Sequence, residues 1–186
     1  ETVALATAEK FMQHHFASID SASNMLKALQ LFQQLMQFHK ADKDPSAFID
    51  VNLERIVWVN EKAVLDDKET LYKNALEELT AKYADNTVAA QAWYLMANNY
   101  AEKAATYKPF DDTANRFAYI QAKEMIETRL KKDTTASEGR SNMLQLLNSI
   151  NTIELKTQVE SINIPNQPFR MLVNYRNIEA MYIRII

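Results

Sequence analysis

The sequence predicts a mainly α-helical protein, built of antiparallel helical hairpins stacked as a short solenoid and followed by a short C-terminal β segment. Three observations lead there. Apolar residues recur at three- and four-residue spacing from residue 3 to residue 150. One stretch of that pattern returns 47 residues later, from Tyr72 to Tyr119. From residue 152 the period falls to two. The expected organisation is a helical-hairpin repeat domain over 1–151 and a β segment over 152–186, read as the start of a β-sandwich.

Seven helices are expected in the first part. The first carries Leu5, Ala8, Met12, Phe16 and Ile19 on one face, and the second Met25, Leu29, Phe32, Leu35 and Met36. Asp44 and Pro45 mark a turn, because proline favours a helix start and the residue before it avoids the α region. The third helix has Ile49, Leu53 and Ile56 inside and Trp58 on an adjacent flank. Asp66 and Asp67 open the fourth, with Tyr72, Ala75, Leu76, Leu79 and Tyr83 as its stripe.

Asp85 and Asn86 cap the fifth helix, whose stripe is Ala89, Ala92, Trp93, Met96 and Tyr100. That stripe is wide, as a helix packed on two neighbours requires. Lys108 and Pro109 end the stretch. Tyr119, Ala122, Ile126 and Leu130 mark the sixth helix. Thr135 and Glu138, at capping-box spacing, open the seventh, which buries Met143, Leu147 and Ile150.

The repeat sets Tyr72 on Tyr119, Ala75 on Ala122, Glu77 on Glu124, Thr87 on Thr134, Ala89 on Ala136 and Met96 on Met143. Apolar phase and turn are both kept, the signature of stacked hairpins. Small alanines let paired helices approach, and aromatics fill the gaps between layers. Beyond residue 152, three sets alternate: Ile153, Leu155, Thr157 and Val159; Phe169, Met171, Val173 and Tyr175; then Met181, Ile183 and Ile185. The first two are separated by the turn residues 164–168 and the last two by Arg176 and Asn177. Three strands cannot bury a two-sided core alone, so this segment reads as part of a larger sandwich.

Composition removes several function classes. Hydrophobic residues make up 47% and charged residues 24%, enough apolar material for a core. A single glycine, Gly139, argues against sheets rich in tight turns and against phosphate-cradling loops. With a net charge of −3 and scattered cations there is no nucleic-acid footprint; the cluster from Arg129 to Lys132 reads as cations complementing a helix C-terminus. No cysteine means no disulfide and no thiolate chemistry. No apolar run is long enough to cross a bilayer.

No catalytic, cofactor or metal residue is expected. His14 and His15 are neighbours on a helix and diverge, and His39 stands apart. The doublets Asp66–Asp67, Glu77–Glu78 and Asp111–Asp112 cannot face one another across a cleft, and two of them sit where helices start. The candidate ligand surface is Tyr94, with Asn98 and Tyr107, off the packed stripe, where a tyrosine and an amide could grip an extended peptide or a glycan. Trp93 and Tyr100 read as packing.

Two segments resemble known families. Tyr72 to Leu76, Asp85 and Asn86, and Ala92 to Tyr100 resemble tetratricopeptide-type hairpins, although the 47-residue period is longer than that family's. The junction resembles the start of large alpha-2-macroglobulin-like envelope proteins of Bacteroides-type bacteria. It runs through Ile153 to Glu160, Ile164 to Pro168, Val173 to Asn177 and Met181 to Arg184. The resemblance implies a non-catalytic helical region ahead of macroglobulin sandwiches, in a secreted, envelope-attached protein of the protease-trap kind. It implies periplasmic or cell-surface location, protein partners (other domains of the same chain, a protease or an envelope protein), no nucleic acid, no cofactor, and room for a lipid anchor upstream. That family's thioester needs a cysteine, which this chain lacks, so the reactive centre cannot lie here. The alternative is a tetratricopeptide-like surface module for a peptide or a glycan.

Overall fold

The structure is a computed structural model and describes residues 1–20, 22–108, 110–162, 164 and 167–184. It is mainly helical. A 3-10 turn at Thr2–Leu5 leads into α1 (Ala8–Gln13), α2 (Asn24–His39), α3 (Ser46–Lys62), α4 (Lys68–Lys82), α5 (Ala90–Ala105), α6 (Ala118–Lys132) and α7 (Glu138–Asn151). Two strands follow, β1 (Glu154–Val159) and β2 (Met171–Arg176). The chain divides into two compact units, Glu1–Leu144 and Gln145–Ile186, so the division falls within α7.

In the first unit successive helices run antiparallel. Lys103 near the end of α5 pairs with Glu69 near the start of α4. Asn86, just before α5, donates to Ser46 Oγ at the start of α3 (3.2 Å). Arg129 near the end of α6 donates to the carbonyl of Ala84, just past α4 (3.0 Å). Asn142 on α7 donates to Gln91 on α5 (3.0 Å). One end of the array therefore gathers the starts of α3, α5 and α7 with the ends of α4 and α6.

The core follows the predicted stripes on α3, α4 and α6. Ile49, Leu53 and Ile56 are buried, as are Ala75, Leu76 and Leu79, and Ala122 and Ile126. On α5, Ala90, Ala92 and Ala97 have no exposed surface, which is what lets flanking helices close in on a small-residue face. Gly139 shows the closest approach. A Cβ built there would lie 2.2 Å from the Gln91 nitrogen and 2.3 Å from the Ala90 carbonyl carbon, so the first turn of α7 rests on the backbone of α5.

The N-terminal stretch departs from expectation. Instead of one helix through Ile19, a 3-10 turn and the six-residue α1 are followed by non-helical chain, and Ile19 is fully exposed. Thr7 restarts the helix by accepting from the Lys10 N–H (3.3 Å). Gln33 on α2 then donates to both Phe11 O and His14 O (2.7 Å each), capping the carbonyls a longer helix would use. Leu5, Phe11 and Phe16 supply the buried surface.

Other local readings need correction. On α2, Met36 is fully buried but Met25 and Leu35 face outward, at 45% and 38% exposure, because α2 packs on its neighbours through a narrow stripe. The seventh helix is capped not by Thr135 but by Ser137, whose Oγ accepts from the Arg140 N–H (3.2 Å). A start at Glu138 places Gly139 in the first turn, where the close approach needs it. Asp67 sits at the N-cap of α4 without a side-chain hydrogen bond, so its contribution is charge against the helix dipole. Asp112 opens a turn by accepting from the Ala114 N–H (3.0 Å), well before α6 begins. Pro109 lies outside the described residues.

In the second unit β1 and β2 form an antiparallel pair with Leu155 opposite Tyr175, Thr157 opposite Val173 and Val159 opposite Met171. These six share one face, as the alternation predicts. Leu155, Val159 and Tyr175 are 49%, 45% and 68% exposed. Asn177 takes the left-handed conformation (φ 54°) and donates to Ile150 O and Thr152 O, fixing the chain after β2 to the end of α7. The third expected strand does not form over 181–184, where Tyr182 and Ile183 are 96% and 58% exposed and, among the described residues, no strand pairs with this segment. Ile185, Pro165 and Asn166 lie outside the described residues.

Candidate binding groove

Two adjoining cavities open along α4, α5 and α6. The first, about 310 Å³, has Tyr72 and Lys73 of α4, Met96, Asn99 and Lys103 of α5, and Met125 of α6 in its wall. The second, about 380 Å³, is lined by Trp93 of α5 and by Gln121, Glu124, Thr128, Arg129 and Lys132 of α6. Tyr100 and Met125 belong to both walls, so the cavities meet there. Each lies in the size range of pockets that hold small ligands or side chains.

Helix periodicity builds this groove. Trp93, Met96, Tyr100 and Lys103 succeed one another at three- and four-residue spacing and form one row of α5. Gln121, Met125, Thr128 and Lys132 do the same on α6. The guanidinium of Arg129 lies over the Trp93 ring, 5.8 Å from its centroid, and pairs with Asp133 at 3.4 Å. Trp93 Nε1 and Arg129 Nε are covered and have no acceptor among the described residues. Lys73 pairs with Glu77 at 3.6 Å. The Tyr100 phenol, and after it Glu77, raises the Lys73 pKa above its ordinary value.

Tyr94, Asn98 and Tyr107 are each half-buried and line neither cavity. Asn98 donates to Glu102 Oε1 (2.8 Å) within α5. Tyr94 acts on Tyr72 instead. Burial first, then the charges of Glu102 and Glu61 and the Tyr94 phenol, push Tyr72 up to about 12. The groove is thus lined by residues that the periodicity assigns to packing. Their legible signal was the Met96, Tyr100, Lys103 row, which carries a cation at the end of an apolar stripe.

Two of the three histidines have local partners. His14 contacts Glu1 and lies edge-on to Phe16, and His39 Nδ1 meets Asp42 at 2.8 Å. Arg140 donates to the carbonyls of Leu130 and Asp133, closing the end of α6. A further cavity of about 450 Å³ lies where α3, α5 and α7 start, with Asp50 and Glu138 in its wall. Among the described residues no three histidines, aspartates or glutamates stand together as a metal site, and no helix is long and apolar enough to cross a membrane.

Arg55 was not singled out by the sequence. It is 1% exposed and donates to Ala4 O (2.8 Å), Ala6 O (3.1 Å) and Asn52 Oδ1 (3.0 and 2.8 Å), with its guanidinium 4.5 Å from the Phe11 ring centroid. It fastens the N-terminal turn to α3. No family model, curated protein or solved structure matches the chain.

Proposed function

We propose that this chain is a non-catalytic protein-interaction module that holds an extended protein segment along the α4–α5–α6 groove. One observation carries the reading. Two adjoining cavities share Tyr100 and Met125, and their walls alternate aromatic and thioether surface with amides and cations. Successive side chains of an extended segment need such alternation, and its backbone needs the amides.

A peptide suits the groove better than a glycan. Sugar stacking needs a free aromatic face. Arg129 lies over the Trp93 ring, and Trp58 packs against Phe32, ring centroids 5.8 Å apart. Within the alpha-2-macroglobulin resemblance, the module is the helical region of an envelope-associated protein. The exposed apolar face of Leu155, Val159 and Tyr175 suits cover by a second sheet, as the first strands of a sandwich would need.

The test is a calorimetric titration of the whole chain with a panel of short synthetic peptides, repeated with Tyr100→Ser and Met125→Glu and with Tyr94→Ala. Saturable binding lost in the first two variants and kept in the third is the expected result. Binding that Tyr94→Ala removes, while the groove variants retain it, transfers the site to the outer row of α5. No binding by any peptide refutes the reading.

A further inference from the structure

We infer that the outer face of α2 is where two copies of this chain meet, their α2 helices crossing antiparallel. The inference stands apart from the groove, whose walls hold no residue of α2.

Sequence sets this helix apart. Between Asp20 and Lys40 only Lys27 carries a full charge. By contrast α4, of similar length, carries Lys68, Glu69, Lys73, Glu77, Glu78 and Lys82. Folding buries Met36 and leaves the opposite side of α2 open. There Leu31, Leu35 and Phe38 follow one another at four- and three-residue spacing and form one row, 55%, 38% and 77% exposed. Gln30, Gln34 and Gln37 make a second row beside it. Phe38 lies edge-on to His39 of its own helix, ring centroids 4.9 Å apart. A contiguous row of large apolar side chains turned to water marks a contact surface.

Charge decides the occupant. A second copy presents the same surface, so the face must complement itself. A helix carrying many like charges repels its own copy. Apolar side chains do not, and a glutamine both donates and accepts, so amide can meet amide. A crossing centred between Gln34 and Leu35 sets Leu31 of each copy against Phe38 of the other. The same centre brings the exposed Lys27 of each copy toward Asp42 of the other, whose side chain is 43% exposed. Opposite charges then close both ends of the pair.

A lipid surface fits less well. Helices that lie on membranes set a strongly charged, cation-rich face against their apolar one, and the polar row of α2 is neutral glutamine. Three large side chains make a small interface, so association is expected to be weak and governed by concentration. In the monomer Phe38 packs against little, so its variants read association rather than folding.

The experiment is sedimentation equilibrium of the whole chain from about 5 to about 500 μM. The average mass is expected to rise from 21.4 kDa toward twice that value. Leu31→Glu and Phe38→Glu should each weaken association at least about tenfold, with helix content unchanged because both side chains are exposed. Lys27→Glu should weaken it about threefold, and adding Asp42→Lys should restore it. Tyr175→Glu, on the exposed sheet, should leave association unchanged. If the chain is monomeric throughout, the inference is overturned, and cosedimentation of that monomer with phosphatidylcholine vesicles gives the face to lipid instead. If Tyr175→Glu abolishes association and the α2 variants do not, the copies meet through the sheet and the inference is overturned. If the charge swap does not restore what Lys27→Glu loses, the antiparallel crossing is wrong and the inference falls with it.

Discussion

A Cβ on Gly139 would stand 2.2 Å from the backbone nitrogen of Gln91, so the sole glycine of the chain marks the point where α7 meets α5 backbone to backbone. In an isolated helix, alanine at this position would stabilise by roughly 0.5–1 kcal/mol. Here the sign should reverse. Gly139→Ala forces the helices apart, and a loss of about 1–3 kcal/mol is expected from urea unfolding. A gain in stability would show that α7 does not pack this way.

The buried guanidinium of Arg55 gives a second test. Burial lowers its pKa, with the charge of Glu78 opposing, and the group is held by two carbonyls and an amide rather than by a carboxylate. Arg55→Ala leaves Ala4 O, Ala6 O and Asn52 Oδ1 without these donors and should cost about 3 kcal/mol. Amide exchange should accelerate first in residues 4–11. A cost under about 1 kcal/mol would mean the N-terminal turn is not fastened by Arg55.

Tyr72 makes stability depend on alkaline pH. Its phenol ionises near 10 when unfolded and near 12 when folded. Between those values the unfolded chain has released the proton and the folded chain has not. The Tyr72 contribution is therefore complete below pH 10 and is lost as pH rises toward 12. Unfolding free energies of the wild type should fall more steeply over that window than those of Tyr72→Phe. Phenolate absorbance of the folded wild type should show a late-titrating tyrosine that the variant lacks. Parallel stability curves would place Tyr72 in a wetter setting.

Neighbouring residues on α2 should respond differently. Met36 is fully buried, and Met36→Ala should cost about 2–5 kcal/mol. Phe38 is 77% exposed, and Phe38→Ala should change stability by no more than about 0.5 kcal/mol. Equal costs would mean that α2 is rotated.

Local periodicity determined the helical class, the inner faces of α3, α4 and α6, the change from helix to strand after Asn151 and the shared face of the two strands. Each is a property of a few consecutive residues, because a buried face must repeat with the period of its own backbone. Periodicity could not say how much of an apolar stripe its neighbours cover. It therefore assigned Leu35 to the interior and Trp93 with Tyr100 to packing alone, although these two line the groove. It directed attention to Tyr94, Asn98 and Tyr107, which line neither cavity. The break in the first helix and the burial of Arg55 were settled by bonds between residues far apart in sequence, 22 for Gln33 to Phe11 and 51 for Arg55 to Ala4. Such contacts exist only once the chain is folded. Tertiary structure thus decided which polar groups are buried, where the helices stop and where the cavities open, because each depends on surfaces brought together from separate helices.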